Sequence, residues 1–194
     1  MQRININENK LNIVLEITDK IQVKLLHFSA LPFDEKDIVA KNIEGSFNLV
    51  ELNISGLDRP LERHGTKYIV TAPGYRMKYD SHKDYRNTRG RKLEITTFDE
   101  VTKIYVISHI QLYDGIPMIR SWSEVINKGN KTQTLEYISS FNYTGIEKEG
   151  ILSRDKKMSL KIPHNSWQRE MDWQTYTLEQ RSEEHTSELQ SPVL

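Results

Sequence analysis

TKIYVISHIQLYDGIPMIRSWSEVINKGNKTQTLEYISSFNY, residues 102–143, decides how this chain folds. Ile104, Val106, Ser108, Ile110 and Leu112 share one side of a period-two pattern, and Tyr105, Ile107, His109, Gln111 and Tyr113 share the other. Asp-Gly-Ile-Pro at 114–117 breaks that run. A second run follows, with Ile119, Ser121, Ser123 and Val125 opposite Arg120, Trp122, Glu124 and Ile126. Lys128-Gly129-Asn130-Lys131 supplies another turn, and Leu135, Tyr137, Ser139 and Phe141 begin a third alternation. Alternation between glycine-bearing turns is the signature of antiparallel strands, so the stretch predicts a three-strand meander.

The same pattern extends outward. Leu11, Ile13, Leu15 and Ile17 alternate, as do Ile21, Val23 and Leu25, with a polar turn between them that predicts a hairpin. Residues 47–54, 75–79, 93–97 and 158–162 read as further strands, and the charged stretches 57–66 and 80–90 read as loops. No stretch alternates helix with strand, which excludes a parallel α/β sheet. About ten short strands at this spacing predict an all-β, antiparallel sandwich.

The 194 residues contain 27 basic and 27 acidic side chains and no cysteine. Zero net charge gives no broad pull toward nucleic acid or an anionic membrane, so neither is expected as a partner. The lack of cysteine removes disulfides, thiolate metal sites and cysteine nucleophiles, and fits a reducing, cytoplasmic setting. The N-terminus has no apolar run after a basic start, so no secretory leader is expected. The six histidines show no metal-ligand spacing, and no phosphate-binding glycine loop occurs, so no cofactor is expected. Residues 181–194, RSEEHTSELQSPVL, have no usable period. They resemble translated sequencing-adapter read-through, and we expect a native domain over residues 1–180 followed by a disordered, non-native tail.

Two groups of residues suggest chemistry. In IPHNSWQREMDWQTYTL, residues 162–178, Trp167 and Trp173 lie among Arg169, Glu170 and other planar polar groups. That is the composition of a carbohydrate subsite, in which an indole stacks on a sugar ring and polar groups hold its hydroxyls; two Trp plugging one end of a sandwich have the same composition. The second group is His82 and His109, which a sheet could bring together for acid–base work on a sugar. The many acidic residues fall mostly in turns, where solvation is their ordinary role.

The runs YDGIPMIRSWSEVINKGN, LEYISSFNYTG and IPHNSWQREMDWQTYTL, together with ERHGTKYIVTAPGYRMKY, resemble the N-terminal domain of glycoside hydrolase family 36, the bacterial α-galactosidases. The resemblance implies a β-supersandwich followed by a catalytic (β/α)₈ barrel and a small C-terminal β domain. It implies hydrolysis, with retention, of terminal α-galactosyl residues of melibiose- and raffinose-type sugars by two barrel aspartates. On that basis no residue here is catalytic. It further implies a homo-oligomer, often a tetramer, in which loops of this domain complete a neighbour's substrate pocket. Trp167, Arg169, Glu170 and Trp173 are then the substrate-binding candidates, joined by His64 and Lys67 of the HGTK loop. The alternative is a stand-alone sugar-binding sandwich similar to the aldose epimerases, with His82, His109 and Glu124 as its actors.

Overall fold

The computed structural model describes residues 2–35, 48–57, 71–143, 159–167 and 169–177. The chain forms two compact units, Met1–Thr144 and Gly145–Leu194, and each is described by itself.

The first unit is an antiparallel β sandwich. β1 (Gln2–Glu8), β2 (Leu11–Ile17) and β3 (Val23–Ser29) form one sheet in chain order. β4 (Leu52–Ile54) and β9 (Leu135–Ile138) form a two-stranded sheet. β5 (Lys78–Asn87), β6 (Gly90–Asp99), β7 (Ile104–Tyr113) and β8 (Ile116–Asn127) form a four-stranded meander. No α-helix occurs among the described residues, and none of their helical segments is long and apolar enough to cross a membrane.

The alternation of the sequence becomes the core. Ile13, Leu15 and Ile17 of β2 join Leu52 and Ile54 of β4, Leu93 and Ile95 of β6, and Ile104, Val106, Ile110 and Leu112 of β7 in one continuous apolar cluster. Each such side chain moved out of water contributes about 1.5–3 kcal/mol, set against the entropy lost on ordering the chain. Phe28 of β3 meets Phe141 edge-on, with ring centroids 5.5 Å apart, and so closes one margin of the core.

Several strand expectations differ from the structure. Residues 80–90, expected to be a loop, are mostly β5. This strand lies at the edge of its sheet and is exposed along nearly its whole length, so no apolar face marks it in the sequence. Its residues are held by cross-strand charge pairs, such as Arg91 Nε and Nη2 donating to Asp84 at 2.8 and 2.6 Å. Charged edge strands also discourage unwanted pairing with other sheets. Second, the third run of the expected meander does not add beside β8. β9 crosses to the other sheet and pairs with β4, Leu52 opposite Ile138. The segment after β9 is tied by Ser139 N–H donating to Glu51 O at 2.9 Å and Asn142 N–H donating to Leu49 O at 3.1 Å. Third, residues 2–8, not among the expected strands, form β1, whose polar residues hide its alternation. Ile4 and Ile6 are its buried pair.

A charged clamp fixes the turn between β6 and β7. Asp99 is buried, and Arg76 donates to both its carboxylate oxygens, Nε to Oδ1 at 2.9 Å and Nη2 to Oδ2 at 2.8 Å. Thr102 donates its backbone N–H and its hydroxyl to Oδ2, at 3.0 and 2.7 Å. Burial alone would raise the Asp99 carboxyl; the bonds from Arg76 and Thr102 outweigh it and hold the group below the ordinary carboxylate range.

The second unit contains an antiparallel hairpin, β10 (Ser159–Ser166) and β11 (Arg169–Thr177). Pro163-His164-Asn165 was expected to end the first strand. Instead it continues, with Pro163 opposite Trp173 and His164 opposite Asp172, and a register shift follows between His164 and Ser166. Proline is tolerated in a two-stranded ribbon, where each strand has one unpaired edge.

Candidate functional site

The strands β6, β7 and β8 place Glu94, His109 and Trp122 side by side. Glu94 is the register partner of His109, and His109 is the partner of Trp122. Directly opposite residues in neighbouring strands project to the same side of a sheet. The alternate residues Leu93, Ile110 and Val106 point into the core, so this row stands on the outer face.

The imidazole of His109 lies between two carboxylates. Its Nδ1 is 3.4 Å from Glu94 Oε1, and its Nε2 is 3.5 Å from Glu124 Oε2. Only 6% of His109 is exposed, and neither ring nitrogen makes a well-formed hydrogen bond. The indole of Trp122 stacks on the imidazole, with centroids 4.7 Å apart and planes 11° from parallel. Lys92 Nζ lies 2.7 Å from Glu94 Oε1 and 5.1 Å from the Trp122 ring centre. The Tyr85 hydroxyl donates to Glu94 Oε1 at 2.8 Å, and the Arg120 guanidinium sits 5.5 Å from the Trp122 ring.

Electrostatics follow from those contacts. Partial burial pushes the Glu94 carboxyl up, but hydrogen bonds from Lys92 and Tyr85, with the lysine's charge, bring it below the ordinary range. Lys92 is raised, first by its bond to Glu94. Two carboxylates, Glu94 and Glu124, share this face with three cations, Lys92, Arg120 and Lys83, the register partner of Glu94, so the formal charge of the five is +1. The cluster therefore combines acceptors, donors and two aromatic rings without a strong field of either sign. Such a set suits recognition of hydroxyl groups better than capture of an ion. Among the described residues there is no group of three or more acidic or histidine side chains placed to hold a metal.

His82 does not belong to this cluster. It pairs with Ile95, a core-facing residue, so the pleat directs it to the opposite side from Glu94 and His109. Its Nδ1 is 2.7 Å from the Tyr79 hydroxyl. Of the epimerase-like trio, the structure brings His109 to Glu124 and separates His82 from both.

The Trp-rich block is placed on the hairpin of the second unit. Trp167 occupies the turn between β10 and β11 and is 92% exposed; Trp173 on β11 is 57% exposed. Glu170 is exposed, and the backbone of Arg169 pairs with that of Ser166. Asn165 Oδ1 accepts from Met171 N–H at 3.0 Å, which braces the turn where Met171 takes a φ of 55°. Further along, the Tyr176 hydroxyl lies 2.9 Å from His164 Nε2. Candidates His64 and Lys67 lie outside the described residues.

The sequence reading overlooked Tyr85, Lys92, Glu94 and Trp122 as site residues. Trp122 and His109 carried a signal in having the parity opposite to the core residues. Their alignment across strands depends on a register set by the turns, which one-dimensional alternation does not supply.

No protein-family model matches this chain, and no curated protein matches it. Solved structures do. The GH36 alpha-galactosidase AgaA from Geobacillus stearothermophilus matches with a TM-score of 0.54 and 12% identity, over 91% of this chain and 28% of that one. A single-substitution variant of it, in complex with 1-deoxygalactonojirimycin, gives a TM-score of 0.47 and 10% identity over 69% of this chain and 23% of that one. A doubly substituted variant in complex with raffinose gives 0.44 and 10%, over 66% and 22%. At such identities the likeness is one of fold, and the chain spans about a quarter of the length of these structures.

Proposed function

We propose that this chain is the N-terminal β-sandwich domain of an α-galactosidase of the family 36 kind. In that role it is non-catalytic. It supports a barrel that carries the catalytic acids, takes part in oligomer assembly, and helps to complete a neighbour's pocket for terminal α-galactosyl residues. The observation that carries the reading is the shared fold with AgaA, which extends over 91% of this chain but only 28% of the enzyme. The sequence motifs of residues 62–79, 113–130, 135–145 and 162–178 resemble the same family.

The exposed hairpin supports the pocket-completing part of the proposal. Two largely exposed indoles on one ribbon are costly to leave in water and suited to a sugar face. Trp167 at the turn would stack on the leaving sugar and Trp173, further along β11, would offer a second ring, while Arg169 and Glu170 hold hydroxyls or the loop itself. His64 and Lys67 remain candidates for the same pocket.

The test is an aryl α-galactoside assay on the purified chain, from a host lacking its own α-galactosidase. The proposal predicts no release of the aryl group above buffer. Turnover that co-purifies with the chain would place the catalytic acids within it and overturn the assignment.

A further inference from the structure

We propose that the outer face of the β5–β8 sheet around His109 is a saccharide-binding site for a neutral pyranoside. A side chain this buried normally has its polar atoms paired. Both nitrogens of His109 lack a well-formed bond, although Glu94 and Glu124 stand 3.4 and 3.5 Å away. A neutral imidazole needs one acceptor for its N–H and one donor for its lone pair. A sugar hydroxyl is both donor and acceptor and meets either need.

The surroundings set the ligand class. Trp122 and Tyr85 supply rings for the apolar C–H face of a pyranose. Glu94 and Glu124 accept from hydroxyls, while Lys92 and Arg120 donate to them. With Lys83 opposite Glu94, three cations face two carboxylates; that single net positive charge disfavours a polyamine and is a weak draw for a phosphate, since both carboxylates stand beside His109. Glu124 is the movable member: its side chain is 54% exposed, whereas that of Glu94 is 18% exposed and held by Lys92 and Tyr85. A swing of Glu124 away from Nε2 opens His109 to a ligand without disturbing the core.

The choice of an α-galactoside as first probe rests on the function proposed above; the site itself does not. The experiment follows the indole N–H signals of Trp122, Trp167 and Trp173 by NMR while methyl α-galactoside, methyl α-glucoside and methyl α-mannoside are titrated into the full chain. We expect a saturable shift at Trp122 with at least one of them. Glu124→Gln and Tyr85→Phe each weaken that binding by about tenfold, or about 1.4 kcal/mol, with the remaining spectrum unchanged. Binding of glucoside but not galactoside upholds the site while counting against the galactosidase reading. Three results overturn the site: no saturable shift up to about 100 mM of any of the three sugars, well beyond millimolar dissociation constants; shifts confined to Trp167 and Trp173; or unaltered affinity in both variants.

Discussion

Replacing Asp99 by alanine should be among the most damaging single changes to a polar residue of the first unit. The carboxylate accepts four hydrogen bonds, two from Arg76 and two from Thr102, at 2.7–3.0 Å. Only 1% of its side chain is exposed, against 24% of that of Arg76. Breaking a buried pair by removing one partner costs about 3–5 kcal/mol, because the remaining charge stays desolvated. Water can reach part of Arg76, so the lower end applies, about 3 kcal/mol. That is a large share of the roughly 5–15 kcal/mol that holds a domain together. Asp84 provides the control. It makes an equally good bidentate pair with Arg91, but the two side chains are 29% and 26% exposed. Pairs open to solvent contribute about 0–1 kcal/mol, so Asp84→Ala should cost less than about 1 kcal/mol. Urea unfolding of both variants, followed by far-UV circular dichroism, measures the contrast. Equal losses would refute the reasoning that burial, and not bond geometry, sets the value of the clamp. The sign of the pH dependence follows. Asp99 is held below the ordinary carboxylate range, so its contribution is complete above that range and is lost as pH falls through its folded-state pKa. Asp99→Asn should flatten this acid limb of the stability curve.

Burial lowers Lys24 to about 8, partly offset by Glu51 and reinforced by Lys20. The folded chain therefore sheds this proton before the unfolded chain does, and stability should rise as pH climbs from about 8 toward the ordinary lysine value; Lys24→Met should remove that slope in urea titrations. Gly90 has a φ of +140°, and a methyl group there would crowd the Leu112 carbonyl and sit 3.0 Å from Asp114 N. Gly90→Ala should cost about 2 kcal/mol or more, since strain and collision add, and thermal melts check it. Trp167, at 92% exposure, makes the opposite case: Trp167→Ala should change stability by less than about 0.5 kcal/mol. If the domain acts as proposed in an α-galactosidase, Trp167→Ala in that enzyme should raise KM for raffinose-type sugars.

The residues show which parts of this fold were readable. β6 buries alternate residues, and β2, β3 and β7 keep apolar residues at period two even where both faces are covered, so alternation marks these strands directly. β5 was missed because it buries almost nothing; its lysine, aspartate and arginine residues look like a loop until Asp84 and Arg91 are seen paired across strands. The destination of β9 was missed because alternation identifies a strand without naming its neighbour. Its pairing with β4 is long-range, and the core joining Leu52 and Ile54 to the other sheet decides it.

The candidate site divides in the same way. Trp167 and Trp173 stood out by composition alone, within a local motif. The cluster gathers Tyr85, Lys92, Glu94, Trp122 and Glu124 from three strands around His109 on a fourth, and no spacing in the chain marks them as neighbours. His82 and His109 looked like partners in sequence, yet the pleat sends them to opposite faces.

The most direct test of the account is to express residues 1–180 joined to the catalytic barrel and C-terminal domain of a family 36 α-galactosidase. The account predicts that this longer protein releases p-nitrophenol from its α-galactoside, leaves the β-galactoside and α-glucoside intact, and liberates galactose from raffinose. A correctly folded longer protein without α-galactosidase activity would contradict it.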